Sequence, residues 1–351
     1  MNYKNLITII MYHYVRPIKK SKYPRVKGLE LNSFKKQLDF LSKKYEFITA
    51  EQLIANSLGQ EKLPKNPCYL TFDDGFKDHI KYVMPELKLR KLQGSFFPPA
   101  CAIEKKELLD VHAIQFILAS TKNYKKLVKD VDQLCSKINF TKSDLDLLKK
   151  KWAIPGRYDS KDIRYVKNML QHVISKNDRG KIVSYLFKKY VGKSTKEFAK
   201  ELYMSVSDIK KLIKNGMYVG SHGYKHVWLG KESKTDQLKD IKMSLKFLKN
   251  VGTNLNNWIM CYPYGSFNKD TLIVNTGLAL QFLSNGKFKA TNHRVLWNKT
   301  RRLSIPFFFE PSYDFKMSGS FLNKSSKNKN KILIFEKFLN KSLKKFIEYQ
   351  R

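Results

Sequence analysis

Two adjacent carboxylates, Asp73 and Asp74, end a short apolar run from Cys68 to Phe72 and are followed by Gly75. A run of that kind reads as a buried strand. Successive side chains on a strand alternate between faces, but at its end the chain turns, and Gly75 permits the positive φ that such a turn needs. Both carboxylates can then reach one cleft, at the strand end where α/β folds bind their ligands. A carboxylate pair there suits divided labour, one group holding a cation and the other handling a proton. The plain alternative is that the two aspartates cap the next helix. Farther along, His222 and His226 stand at i and i+4 in Ser221-His222-Gly223-Tyr224-Lys225-His226. On a helical turn both imidazoles would leave one face, which suits a divalent metal. One carboxylate and two imidazoles form a facial triad with open positions, fit for Zn²⁺, Co²⁺ or Ni²⁺. A metal so held lowers the pKa of water and polarises a carbonyl, and the second carboxylate can take the proton. His13 ends another apolar run and is a further candidate.

These residues need a scaffold of strands. Leu6–Tyr12 reads as a buried first strand, and residues 16–30 as a basic loop. Ser33 is placed as the cap of a helix to about Lys44. Glu46–Ile48 is extended, Ala50–Asn56 is helical, and Cys68–Phe72 follows. Next come a helix over Lys77–Leu89 with a break near Pro85 and a strand at Gly94–Phe97. The alternation predicts an α/β fold with a parallel sheet. Residues 105–213 are instead lysine-rich and helically periodic, and predict seven helices. His112 and His172 fall within them and read as packing or surface residues. Strand character returns at Met217–His222 and Trp258–Gly265, with a helix over Leu238–Asn250 between them. A helix over Phe267–Thr276, a strand at Ala279–Phe282 and an extended piece at Arg301–Phe309 follow. Residues 323–331 read as a linker, and Ile332–Gln350 as an amphipathic basic helix.

The chain has 351 residues and a formal charge of +38, from 68 Lys and Arg against 30 Asp and Glu. That charge favours anionic partners, among them phosphorylated substrates and membrane surfaces. The lysines are spread through helical patterns without a binding motif, so a nucleic-acid partner is not expected. The four cysteines lie far apart with no CxxC, which predicts reduced thiols rather than a disulfide framework or a zinc knuckle. No apolar run reaches membrane-spanning length, and Leu6–Met11 is too short for a signal peptide, so a cytoplasmic location, with peripheral membrane contact as an option, is expected.

Three motifs, Thr71-Phe72-Asp73-Asp74-Gly75, Ser221–His226 and Tyr262-Pro263-Tyr264-Gly265, occur in an order that resembles the polysaccharide deacetylases, the NodB-homology enzymes of carbohydrate esterase family 4. Met11-Tyr12-His13-Tyr14-Val15 is also similar to the start of many members. The resemblance spans residue 9 to about 310. It implies a distorted (β/α) barrel of about seven parallel strands, here formed by residues 1–104 and 214–322, with 105–213 as a helical insertion and 323–351 as a basic C-terminal linker and helix. It implies metal-dependent hydrolysis of an acyl group on a sugar. Carried over, Asp73 is the catalytic base, Asp74, His222 and His226 bind the metal, most readily Zn²⁺, and the backbone N–H of Tyr264 helps form the oxyanion hole. Two departures stand out. Cys261 occupies the position where many members carry an arginine that contacts the base, and Arg302 is the substitute expected from a later strand. The late Leu-His motif, whose histidine protonates the leaving amine, is missing. His13 is the chosen replacement and His293 the other candidate.

The function expected is removal of an N-linked acetyl group from a sugar or glycan precursor, phosphorylated or lipid-linked, in surface polysaccharide biosynthesis. A deacylase of a non-sugar amide and a catalytically inactive carbohydrate-binding protein are the alternatives.

Overall fold

The computed structural model describes residues 7–256, 258–268, 316–318 and 332–334. Residues Ile7–Thr271 form one compact unit. A second unit comprises 1–6 and 272–351, and its described part is an antiparallel pair.

The sheet of the larger unit is built on its most apolar strand. In chain order its strands are β1 (Thr8–Tyr12), β2 (Val15–Arg16), β3 (Leu29–Glu30), β4 (Glu46–Phe47), β5 (Pro67–Asp73), β6 (Ser95–Phe97) and β7 (Tyr218–Val219). Every residue of β5 is buried, as expected of a central strand in a parallel sheet. β1 pairs with one side of β5, from Thr8 opposite Cys68 to Tyr12 opposite Phe72. β4 pairs with Pro67 and Cys68 on the other side, and β6 continues that side with Thr71, Phe72 and Asp73 opposite Ser95, Phe96 and Phe97. β7 lies beyond β6. All five strands of this sheet are parallel, while β2 and β3 form a separate parallel pair. The common direction brings the ends of β1 and β5, and the segment after β7, to one edge, so His13, Asp73, Asp74 and His222 meet there.

Twelve α-helices are described in this unit. α1 (Leu31–Ser42) and α2 (Ala50–Ser57) precede β5, and α3 (Met84–Leu89) and α4 (Ala100–Glu104) flank β6. The lysine-rich stretch forms seven helices, as its periodicity predicts. They are α5 (Asp110–Ser120), α6 (Tyr124–Ser136), α7 (Lys142–Trp152), α8 (Lys161–Asn168), α9 (Lys176–Val191), α10 (Thr195–Leu202) and α11 (Val206–Lys214). Thr141, Ser160, Ser175, Ser194 and Ser205 cap five of them by accepting a backbone N–H through the side chain. α12 (Lys234–Val251) follows β7. These helices share their core with the sheet: Phe116, Tyr165, Phe187 and Tyr203 belong to the same buried cluster as Phe72, Phe76 and Phe96. None of the described helices is long and apolar enough to cross a membrane.

Several expectations change. β1 forms, but it is not buried throughout: Ile9 and Met11 are 58% and 59% exposed, because alternate side chains leave opposite faces of the sheet. Ser33 lies inside the first turn of α1, whose N-cap position is Glu30. Trp258–Gly265 yields one parallel bridge, Met260 to Ser221, and then a 3₁₀ turn over Pro263–Gly265. Proline lacks the N–H that a continuing ladder requires. Ile332–Ile334 opens the expected C-terminal helix but is a strand, β9, antiparallel to β8 (Lys316–Ser318). Residues 332–334 carry the β-branched, apolar run Ile-Leu-Ile, which suits a strand. Five parallel strands are described. The strands expected at 279–282 and 301–309, and nearly all of the helix expected at 267–276, lie outside the described residues.

Candidate active site

Asp74 sits at the centre of the site. Its backbone is left-handed, with φ 73°, and Gly75 after it has φ 67°. A side chain at Gly75 would also meet Pro98 at 2.8 Å, so the turn after β5 requires glycine there. Left-handed geometry at a non-glycine residue is strained, and such strain concentrates at functional sites. His226, φ 54°, and Tyr264, φ 58°, repeat it. The carboxylate of Asp74 is buried and faces four imidazoles. Oδ1 lies 3.3 Å from His226 Nε2 and 3.7 Å from His222 Nε2. Oδ2 lies 3.0 Å from His112 Nε2 and 3.9 Å from His13 Nε2. Burial alone would raise its pKa, but the imidazoles, His112 first, outweigh that and hold it well below the usual carboxylate range.

The residues sort by what they touch. Nδ1–H of His222 donates to the carbonyl of Cys261 at 2.7 Å, which leaves Nε2 as a lone pair directed at an acceptor oxygen. Asp74 Oδ1 is buried without a hydrogen-bond partner, and so is Nδ1 of His226. Two imidazole nitrogens and a carboxylate oxygen converge there, an arrangement that a divalent cation would join. One donor atom from each of Asp74, His222 and His226 lies within 4.8 Å of the others. The donor set therefore fits a first-row metal.

Asp73 is the second carboxylate, 2% exposed at the end of β5. Cys261 Sγ donates to its Oδ2 at 3.4 Å, and Oδ1 has no partner. Burial, reinforced by the charge of Asp74, pushes its pKa up to about 7 although the thiol contact pulls the other way. A carboxyl group so placed can exchange a proton near neutral pH. Cys261, noted in the sequence as standing in for an arginine, is itself the contact to this acid, and burial pushes its thiol well up, so it acts as a neutral donor. Arg302 and His293 lie outside the described residues.

The two-histidine motif is a turn rather than a helix. Gly223 takes φ 69°, and a side chain there would meet Asp240 Oδ2 at 2.8 Å. Asp240, buried on α12, accepts the N–H groups of Tyr224 at 2.7 Å and Lys225 at 2.9 Å. α4 contributes Ala100 N–H to Gly223 O and Cys101 N–H to Tyr224 O. The turn thus brings His222 and His226 together, with their rings 4.8 Å apart. The ring of Tyr264 packs edge-on against His226 and stacks on Trp228 at 4.3 Å, giving the cleft an aromatic wall.

His13 is the imidazole of the four with the greatest access to solvent, its side chain 42% exposed. Its carbonyl accepts from His79 Nε2 at 2.9 Å, and His79 begins a π-helical turn, a distortion frequent at functional sites. His172 is exposed and packs edge-on against Trp228. His112, read from sequence as a packing or surface residue, is instead in contact with Asp74. Its helical surroundings hid it, since neither its spacing nor its neighbours in sequence mark a site. Asp240 and Tyr203 likewise carry no sequence signal.

A family model described as polysaccharide deacetylase matches residues 165–283. That stretch includes His222, His226 and Tyr264, while Asp73 and Asp74 precede it. Among solved structures, the chain is similar to a Streptococcus pyogenes deacetylase, PplD, in complex with acetate. The identity is 16%, 76% of each chain is covered and the TM-score is 0.43. IcaB from Ammonifex degensii shares 18% identity over 76% of this chain and 80% of its own, with a TM-score of 0.41. A coumaroyl CoA and feruloyl CoA ortho-hydroxylase from Ipomoea batatas is 50% identical over 44 residues, which is 12% of either chain. The chain thus spans about an eighth of the length of that curated relative. The family match falls on the stretch that carries His222 and His226, the two imidazoles that face Asp74 Oδ1, and over that third of its length the chain is similar to the polysaccharide deacetylases.

Proposed function

We propose that the protein is a metal-dependent hydrolase that removes an N-linked acetyl group from a sugar or glycan precursor. The observation that carries this reading is the convergence of Asp74 Oδ1 with Nε2 of His222 and of His226, beside a second, buried carboxyl group whose pKa is near neutral. Asp74, His222 and His226 hold the cation, for which Zn²⁺ is the first choice and Co²⁺ or Ni²⁺ the alternatives. When bound, the cation acidifies water and polarises the acyl carbonyl. Asp73, ionised, takes the proton from the attacking water through the oxygen that has no protein partner. The backbone N–H of Tyr264 donates to the developing oxyanion, a contact typically worth about 3 kcal/mol. His13, at the open side of Asp74, delivers a proton to the leaving amine. Arg302 is retained as a candidate support for Asp73 alongside the Cys261 thiol.

The charge of +38 supports a phosphorylated or lipid-linked precursor as substrate, with peripheral membrane contact and a role in surface polysaccharide biosynthesis. Four cysteines without disulfides support a cytoplasmic setting. Acetate release from N-acetylated sugars, free and in nucleotide- or lipid-linked form, tests the reading. Release that depends on added metal is the expected result. Its absence with every acceptor, despite stoichiometric metal binding, would favour a binding protein over an enzyme.

A further inference from the structure

We propose that His112 and Tyr203, both supplied by the helical stretch 105–213, are positioning residues that orient the Asp74 carboxylate for the metal. This rests on the reading of Asp74 as a metal ligand.

The chemistry of the donors fixes the direction of the chain of contacts. The Asp74 carboxylate can only accept, so the proton in its 3.0 Å contact belongs to His112 Nε2. A neutral His112 then has a bare Nδ1, which accepts the hydroxyl proton of Tyr203 at 2.5 Å. The Tyr203 oxygen in turn accepts the N–H of Leu109 at 3.2 Å. Every donor from Leu109 to Asp74 therefore points the same way. His112 and Tyr203 are 1% and 0% exposed, so water does not compete for these contacts. Phe76 packs against both, with its ring 4.9 Å from that of His112 and stacked on Tyr203.

The far end is anchored to the same turn it serves. Tyr203 and Phe76 form an isolated antiparallel bridge, and Met204 N–H donates to the carbonyl of Gly75 at 2.9 Å. The segment after α10 thus holds the backbone of the Asp74–Gly75 turn while the Tyr203 hydroxyl, through His112, holds the Asp74 side chain. His112 engages Oδ2 and leaves Oδ1 to face His222 and His226. A bare carboxylate could rotate and present either oxygen; this one is fixed. Hydrogen bonds that orient a metal ligand commonly alter affinity by about 10- to 100-fold when removed.

The test is the affinity of full-length, metal-stripped protein for Zn²⁺, with the Co²⁺ absorption spectrum as a second readout. Four variants are compared: His112→Leu, His112→Gln, Tyr203→Phe, and Tyr203→Phe combined with His112→Gln. Glutamine can place an N–H near the position of Nε2 but cannot accept the Tyr203 proton as Nδ1 does. His112→Leu should lose about 10- to 100-fold in affinity. His112→Gln should retain most of it, Tyr203→Phe should lose less than His112→Leu, and adding Tyr203→Phe to His112→Gln should cost nothing further. The proposal is overturned if folded His112→Leu binds Zn²⁺ as the wild type does. It is equally overturned if His112→Gln falls as far as His112→Leu. Should His112→Leu fail to fold, wild-type affinity in Tyr203→Phe overturns it. If the wild type binds no metal, the reading of the site itself fails, a result distinct from these.

Discussion

Asp73 and Asp74 are neighbours in sequence with opposite electrostatic fates. Asp74 is held ionised by imidazoles, while Asp73, buried against that charge, is pushed up to about 7. The consequence for stability has a definite sign. The unfolded chain ionises Asp73 near 3.8 and the folded, metal-free protein only near 7, so this group lowers stability as pH rises from about 4 to about 7. Above pH 7 that loss is complete and amounts to at most about 4 kcal/mol. Asp73→Asn should therefore raise the Tm of metal-free protein by several degrees at pH 8 and much less at pH 4, measured by calorimetry. Its cost is catalysis: the same variant should lose acetate release by 10³-fold or more. Wild-type kcat/KM should rise with pH as Asp73 ionises, its midpoint moved to lower pH by a bound cation's positive charge. The two aspartates, His222 and His226 were legible in the sequence because motif order and residue chemistry mark them. His112 was not, because it reaches Asp74 from 38 residues away through helix packing.

At the scale of elements, the site depends on how its turns are held. The His222–His226 turn has two left-handed residues and no helical hydrogen bonds to support it, so Asp240 on α12 takes that role. Asp240→Ala would leave two backbone N–H groups without their acceptor, at about 1–3 kcal/mol each if they stay buried. It should lower Tm and weaken Zn²⁺ binding together, whereas Asp240→Asn, which keeps one acceptor oxygen, should recover part of both. Unchanged metal affinity in Asp240→Ala would show that the turn holds itself. The sequence allowed a helical turn here because i and i+4 spacing fits one. Gly223, placed where a side chain would strike Asp240, decides for the turn instead. Strand positions were readable from apolar runs. The bridge at Met260 fell short of the strand expected over 258–265 because Pro263 ends the pairing.

At the scale of the molecule, the helical stretch is part of the fold rather than an appendage. Its buried side chains join those of the sheet in one cluster, and Lys27 pairs with Asp159 across the two. Replacing residues 105–213 with a short linker should therefore yield a protein without a cooperative thermal transition, checked by circular dichroism. A folded remnant that still bound Zn²⁺ with wild-type affinity would contradict this. The helices themselves were readable from periodicity. Their shared core was not, because an apolar helix face does not say what it packs against.

The central claim is that the two adjacent carboxylates divide labour, Asp74 holding a cation and Asp73 moving a proton. The most direct measurement compares Asp73→Asn with Asp74→Asn in one experiment, reading Zn²⁺ stoichiometry and acetate release from an N-acetylated glycan the wild type cleaves. The account predicts that Asp73→Asn binds one Zn²⁺ and releases no acetate, while Asp74→Asn does neither. Turnover by Asp73→Asn at the wild-type rate, or full Zn²⁺ binding by Asp74→Asn, would contradict it.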